Sequence, residues 1–474
     1  MSTNTPRPAL DKPSLSGRAG GFSLDVEERS IGGALRGWVD KLRSGDPGAL
    51  PSVLGLIVLG AIFSQVSGRF LSKSNIGNIP GQGAYIAVIA LGLVFVLLLG
   101  EIDLSAGTAG GAAASIAAVG VFTGNVHHGL PGALYWSLLA GLLAAVLLGV
   151  WLKAYTAAVV SAIGLVLVAT NLTQHLLLAL IAAICIGTAI GIFNGWLVAK
   201  VGIPSFIVTL ALFLAWQGVI QFALRGQPVA VSNYDLWHDL TYGSLSVAWS
   251  WVFTIVVVGL YLGYTLVNAV RAKAAGLTHD SISLVLLRGG IIAAVGLILT
   301  ALANTNRNPR GRVIEGIPVP AAIIIVLMIV CTLVLTSTTW GRHLYATGGN
   351  AEAARRAGID VVHMKVTAFA ICTSFGALGG ILLASSQSSA SLDLGGSNVL
   401  LFSVAAAVIG GTSLFGGRGR PRDAVIGALV ITIIPNGILL KPNLDAQWQQ
   451  VITGIVLLIA AGVDALSRRR AARS

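Results

Sequence analysis

The feature that most constrains this chain is a recurrence of long apolar runs separated by short polar stretches. A bilayer's hydrocarbon core, about 30 Å thick, takes about 20 apolar residues per helix. Fourteen runs approach that length, near 51–67, 84–100, 107–123, 131–150, 157–172, 175–194, 204–223, 248–268, 284–303, 320–336, 364–384, 398–415, 422–440 and 447–465. Backbone groups in lipid have no water to bond, so each run is expected to be a helix. The alternating pattern of a membrane barrel is absent. Several runs are short or Gly-rich, which leaves room for one or two re-entrant or broken spans. The expected fold is an all-α polytopic transmembrane bundle of about 14 segments.

Composition fits that medium. Only 10% of the 474 residues are charged and 55% are hydrophobic, with mean hydropathy +0.85. A soluble chain carries about 25% charged residues. The net charge of +12 would suit nucleic acid, but Lys and Arg sit between apolar runs and at both termini, so no nucleic-acid partner is expected. Cys185, Cys331 and Cys372 each lie inside an apolar run without CxxC pairing and read as packing residues, not as metal ligands.

The first 48 residues are polar, rich in Pro, Gly and Ser, and lack the apolar core of a secretory signal; they read as a partly disordered tail. Residues 49–466 form the membrane domain, and 467–474 a short basic tail. If all fourteen runs cross and the N-terminus is cytoplasmic, only Arg69, Lys73, Arg225, Arg307, Arg310, Arg312 and Lys441 of the 30 Lys and Arg residues fall outside. That asymmetry favours both termini inside. The cluster Arg307, Arg310 and Arg312 is the exception: either an outside loop tolerates it or the count slips by one segment there.

Small residues recur at helical spacing: Gly187, Gly191 and Gly195; Gly107 and Gly111; Gly376 and Gly380. Such faces let helix backbones approach closely in lipid. Pro435, followed by Asn436 and Gly437, predicts a kinked or unwound helix.

The stretch from Trp340 to Lys365 lies between two runs, on the basic side. Asn350 is a good N-cap, Ala351–Ala357 favour helix, and Gly358 is a natural C-cap. A two-turn surface helix is predicted. The chain has no Gly–Lys pair and hence no Walker phosphate loop, nor HExxH or GxSxG.

These motifs together resemble the ABC sugar permeases of the ribose and xylose type. Residues 340–364 look like that family's cytoplasmic coupling loop. Val408–Gly417 resembles its "IGGTSLFGG" stretch, and Asn194-Gly195 with Ile203–Thr209 its "LNG…IPSFIVTL". Glu101–Ser105 resembles "GIDLS", with Glu where many relatives have Gly. Trp448–Gln450 and Asp464 match the last span. Leu214–Gly218 and the insertion at 225–319, with two extra segments, are similar to the xylose type. Ribose-type relatives have about ten spans and lack that insertion. Residues 151–175 add further segments.

The resemblance implies a membrane permease, not an enzyme, in a bacterial inner membrane. It implies a separate ATPase subunit with tandem nucleotide domains carrying ATP and Mg, an extracytoplasmic sugar-binding protein, and a second permease copy. No cofactor is expected on this chain. ATPase coupling falls to Gly349, Asn350, Glu352, Ala353, Arg355, Arg356 and Gly358.

Polar groups at membrane depth are costly and each needs a reason. Glu101 and Asp103 either cap the helix that follows, with Asp103 as N-cap near Leu104, or line the sugar path. Asn194, Gln217 and Asn436 offer hydrogen bonds, and Phe206 and Trp216 a stacking face, for a hydroxylated ring; interhelical bonding is the alternative. His127 and His128 read as solvated. Two rival functions remain: a branched-chain amino-acid ABC permease and an ion-coupled secondary sugar transporter.

Overall fold

The computed structural model describes residues 28–29, 50–440 except 278, 309, 310 and 312, and then 448, 450–455, 458 and 462. The tails 1–48 and 467–474, the run near 447–465, and Arg310, Arg312 and Lys441 lie wholly or largely outside these residues.

In chain order the α-helices longer than one turn are α1 (Leu50–Val66), α2 (Lys73–Leu98), α3 (Ala106–Thr123), α4 (Gly132–Trp151), α5 (Tyr155–Ala169), α6 (Leu176–Trp196), α7 (Ser205–Ala223) and α8 (Asp235–Tyr242). They continue as α9 (Val247–Ala274), α10 (Ile282–Ala303), α11 (Val319–Ser337), α12 (Thr339–Gly349), α13 (Ala351–Arg356), α14 (Val361–Ser386), α15 (Ser397–Ile409) and α16 (Pro421–Leu439). Among the described residues ten helices are long and apolar enough to cross a membrane, α6 being counted through its π-helical extension to Val201. α1, α5 and α15 contain shorter apolar stretches. The chain is a polytopic helical membrane protein.

Two units are distinguished. Met1–Val39 with Ile255–Gly296 form one. Within it, α9 and α10 run as a hairpin in which Leu262 fills the space at Gly289, and Arg288 pairs with Asp280 at 2.7 Å. Asp40–Thr254 with Leu297–Ser474 form the other. Its centre is α2, α3, α6 and α14, which are 89%, 89%, 67% and 78% buried over their most apolar windows.

Small residues make that centre possible. A Cβ at Gly110 or Gly380 would strike the facing backbone of α14 or α3, and a Cβ at Gly187, Gly191 or Gly195 would strike α14. Backbones therefore touch across these pairs, as dispersion-driven helix packing in lipid demands. Gly107 and Gly111 differ from expectation. They receive the backbone of Leu394 and Gly395, a non-helical segment, with Ile220 of α7 beside Gly111.

Two stretches of irregular backbone run inside this bundle. Gly376 lies 15 residues into α14, about 22 Å along its axis, and a Cβ there would strike the carbonyl of Ala106 at the start of α3. The 99–105 segment thus climbs well into the bundle before α3 begins. The 391–396 segment descends to meet Gly107, so α15 is a half-length helix. Irregular backbone survives at this depth because protein, not lipid, surrounds it.

Four expectations need correction. α2 begins at Lys73 rather than 84: Ser72 caps it, and Asn75 and Gln82 in its polar first turns find amide partners. The run at 398–415 is helical only to Ile409, since Gly411, Gly416 and Gly417 at positive φ turn the chain. α16 is not unwound at Pro435 but continues to Leu439. α3 starts at Ala106, two residues later than expected, and Asp103 accepts the Ser105 N–H just ahead of its first turn.

Candidate functional site

The two ends of the larger unit differ. Lys153, Lys200, Arg342, Arg355, Arg356, Lys365, Arg418, Arg420 and Arg422 gather toward one of them, here the basic end. Contacts tie its loops together: Lys200 lies over the Trp151 ring at 5.6 Å, and the Tyr345 hydroxyl donates to the Gly419 carbonyl at 2.7 Å. Burial pushes the Tyr345 phenol above its ordinary value, with Arg420 opposing and Asp423 adding to the shift. At the opposite end, Arg307 is 8% exposed and donates to Ser244 Oγ and the Gly316 carbonyl. The loop bearing it therefore lies beside the α8–α9 link, and burial lowers its pKa.

The basic end carries the predicted surface helix. Asn350 caps α13, accepting from the Ala353 N–H at 2.9 Å, and Gly358 closes it at φ +85°. Glu352 in the first turn meets Arg355 at 2.8 Å and Arg356 at 3.4 Å, all three side chains more than half exposed. Acid at the N-terminus and base at the C-terminus both complement the helix dipole. Ala353 faces solvent and Ala354 is buried. Gly349 has open space around it, so a side chain there would meet nothing.

Sequence reasoning missed α12. Thr338 caps it by accepting from the Gly341 N–H at 3.0 Å, and Leu344 and Thr347 are buried beneath it. Thr338, a favoured cap residue, was the available local signal. At its end Gly348 abuts the Leu98 carbonyl, which also accepts from the Gly417 N–H at 2.8 Å. α12, which leads into α13, is thus seated on the end of α2 and the glycine turn before α16.

The seven residues singled out for a path separate into groups. Glu101 pairs with Lys365 of α14 at 2.5 Å. Asp103, fully buried, accepts from the Ser105 N–H at 2.9 Å and its hydroxyl at 2.7 Å; Asn194 donates to the same Ser105 Oγ at 2.9 Å. Glu101, Asp103 and Asn194 therefore belong to one junction, to which Cys372 also contributes a thiol beside Asp103. Asn436 is elsewhere, in a reciprocal amide pair with Asn75 at 2.8 Å and donating to Gln82 at 3.0 Å. Phe206 is 54% exposed on α7, so it does not line an interior path within this chain. Trp216 and Gln217 are half-buried on α7, with Gln217 near Gly396 at the start of α15. His127 and His128 are exposed and pack edge-on against each other. Asn398, exposed on the first turn of α15, is a polar group that the sequence reading passed over. Among the described residues no three His, Cys, Asp or Glu side chains gather in one place.

Comparison with known proteins places this architecture. The family described as branched-chain amino acid transport system / permease component matches residues 154–461. The xylose transport system permease protein of Escherichia coli is 30% identical over 88% of this chain and 92% of its own length. Its Haemophilus influenzae counterpart is 30% identical over 91% and 99%. The ribose import permease protein of Escherichia coli is 27% identical over 87% and 92%. No solved structure matches. A half-length helix, deep irregular segments and a capped helix pair at one end are thus built on a sequence shared over nearly its full length with transport permeases, and the chain belongs to the branched-chain amino acid transport system / permease component family as a relative of the xylose and ribose permeases.

Proposed function

We propose that this chain is the membrane-spanning permease subunit of an ATP-driven importer for a monosaccharide, xylose or a similar sugar. Similarity to the xylose and ribose permeases over most of the chain carries this reading. The basic end then faces the cytoplasm of a bacterial inner membrane, with both termini inside, consistent with the excess of Lys and Arg there. A separate ATPase with tandem nucleotide domains, carrying ATP and Mg, docks on α13 through Asn350–Gly358, and a sugar-loaded binding protein docks at the opposite end. Two copies pair around a central path. The face of α7 that bears Phe206, Trp216 and Gln217, together with Asn398, lines that path between copies. Amides and aromatic faces suit a neutral polyhydroxylated ring. The inserted segments at 225–319 and the loop 340–364 belong to this permease domain.

ATP-driven closure of the motor pushes α13, and the junctions behind it convert the push into alternating access. The test is reconstitution of the chain with a xylose-type ATPase subunit and sugar-binding protein. Expected is ATP-dependent xylose uptake, with leucine not transported. Leucine uptake in place of xylose would select the amino-acid reading favoured by the family's description. Uptake persisting without the ATPase, and collapsing with the ion gradient, would select the secondary-transporter reading. Labelling of a cysteine at Ala353 by an impermeant maleimide only from the external face would overturn the orientation.

A further inference from the structure

One short segment at the basic end contacts α6, α7, α14 and the turn before α16. Residues 99–105 leave α2 and enter α3. The Ile102 N–H donates to Ser205 Oγ at 3.3 Å, and Thr209 Oγ1 donates to the Ile102 carbonyl at 3.2 Å, so two backbone groups of the segment hold the first turns of α7. Asn194 of α6 reaches Ser105. Gly100, at φ +74°, lies against the Phe415 backbone; an added Cβ would sit 3.3 Å from its carbonyl oxygen. Its one ion pair to α14, the helix that follows α13, is Glu101–Lys365, with side chains only 16% and 23% exposed.

α7 itself is thinly held. Only 22% of its most apolar window is buried, and its first turn is anchored by Ser205 and Thr209. A displacement of α14 reaches that turn through Lys365, Glu101 and the rigid backbone of Ile102. Ion pairs this shielded from water resist screening and hold their geometry better than surface pairs.

We infer that the Glu101–Lys365 pair is a positioning element that carries movement of the surface helix α13, through α14 and the 99–105 segment, to the start of α7. The inference rests on the transport reading above. Their effect runs through Ile102.

The test uses the complete complex in proteoliposomes, with xylose as probe and sugar imported per ATP hydrolysed as readout. Glu101→Gln is expected to leave ATPase association and hydrolysis intact and to lower that ratio about tenfold, the scale of coupling seen for charged pairs in contact. Glu101→Lys combined with Lys365→Glu is expected to restore it to within about twofold of the parent. A merely structural pair would alter yield and melting temperature without changing the ratio. A second readout is maleimide labelling of Phe206→Cys on α7, whose rate is expected to change with ATP in the parent and not in Glu101→Gln. An unchanged ratio in Glu101→Gln, or a swap that recovers stability but not coupling, overturns the strap while leaving the transport reading intact. A parent complex with no ATP-dependent uptake of any sugar overturns the transport reading, and the strap with it.

Discussion

α2 and α10 are nearly equal in mean hydropathy, 2.2 against 2.4, yet α2 is 89% buried by protein and α10 only 17%. Lipid and protein interior are equally welcoming to apolar side chains, so hydropathy selects membrane helices without saying which of them pack. Side-chain size makes that choice. α2 presents Gly83, Gly92 and a run of Ala and Val to neighbours that press on its backbone, whereas Gly290 of α10 has nothing within 4 Å. Leu286, Ile291, Val295 and Ile298 of α10 face outward.

The sharpest way to break this comparison is to add bulk on each side of it. Gly110→Leu forces α3 away from α14, and overpacking of that kind costs at least about 1–3 kcal/mol. Folded protein in detergent, read by fluorescence size-exclusion, is expected to fall to background, while Gly290→Leu keeps the parent's yield. Equal losses would mean that α10 is packed as tightly as α3.

Deleting a buried amide has a smaller effect. Asn194→Ala removes the bond to Ser105 within a junction sealed from water, at a cost of about 1–3 kcal/mol. Asn268→Ala, on the exposed part of α9, is expected to leave the melting temperature unchanged. If the two variants melt alike, the junction is not a distinct region.

Smaller again is the loss of a cap. Asn350→Ala is expected to cost about 1 kcal/mol, confined to α13, and hydrogen exchange of the Ala353 amide is expected to quicken without change in α14. The smallest effect belongs to Glu352→Gln. Its pairs with Arg355 and Arg356 are solvent-exposed, so a change of at most a few tenths of a kcal/mol is expected in thermal melting. A large drop there would show that α13 is held by charge and not by its caps and the burial of Ala354.

The sequence made much of this legible. Apolar runs mark thirteen of the helices, because a segment in lipid has no other way to satisfy its backbone. Asn350, the alanines and Gly358 locate α13 by local propensity alone. The Gly187, Gly191 and Gly195 spacing announces a close helix contact, though not that its partner is α14. α12 was hidden because its stability comes from burying Leu344 and Thr347 and seating Gly348 against α2, none of which is local. The polar start of α2 was hidden too, since Asn75 and Gln82 look like loop residues until Asn436 supplies their partner 361 residues away in sequence from Asn75.

By itself, the order of residues determined that this chain crosses a membrane many times as helices and that a capped helix sits between two of the crossings. These are properties of single segments, governed by backbone hydrogen bonding and transfer from water. Tertiary structure alone decided that Glu101, Asp103 and Asn194 share one junction, that Asn436 belongs to another, and that Phe206 faces outward. For the polar residues the reason is the same: a polar group in a low-dielectric interior is placed by the partner that satisfies it, and that partner lies elsewhere in the sequence; for Phe206 it is which face of α7 the neighbouring helices cover.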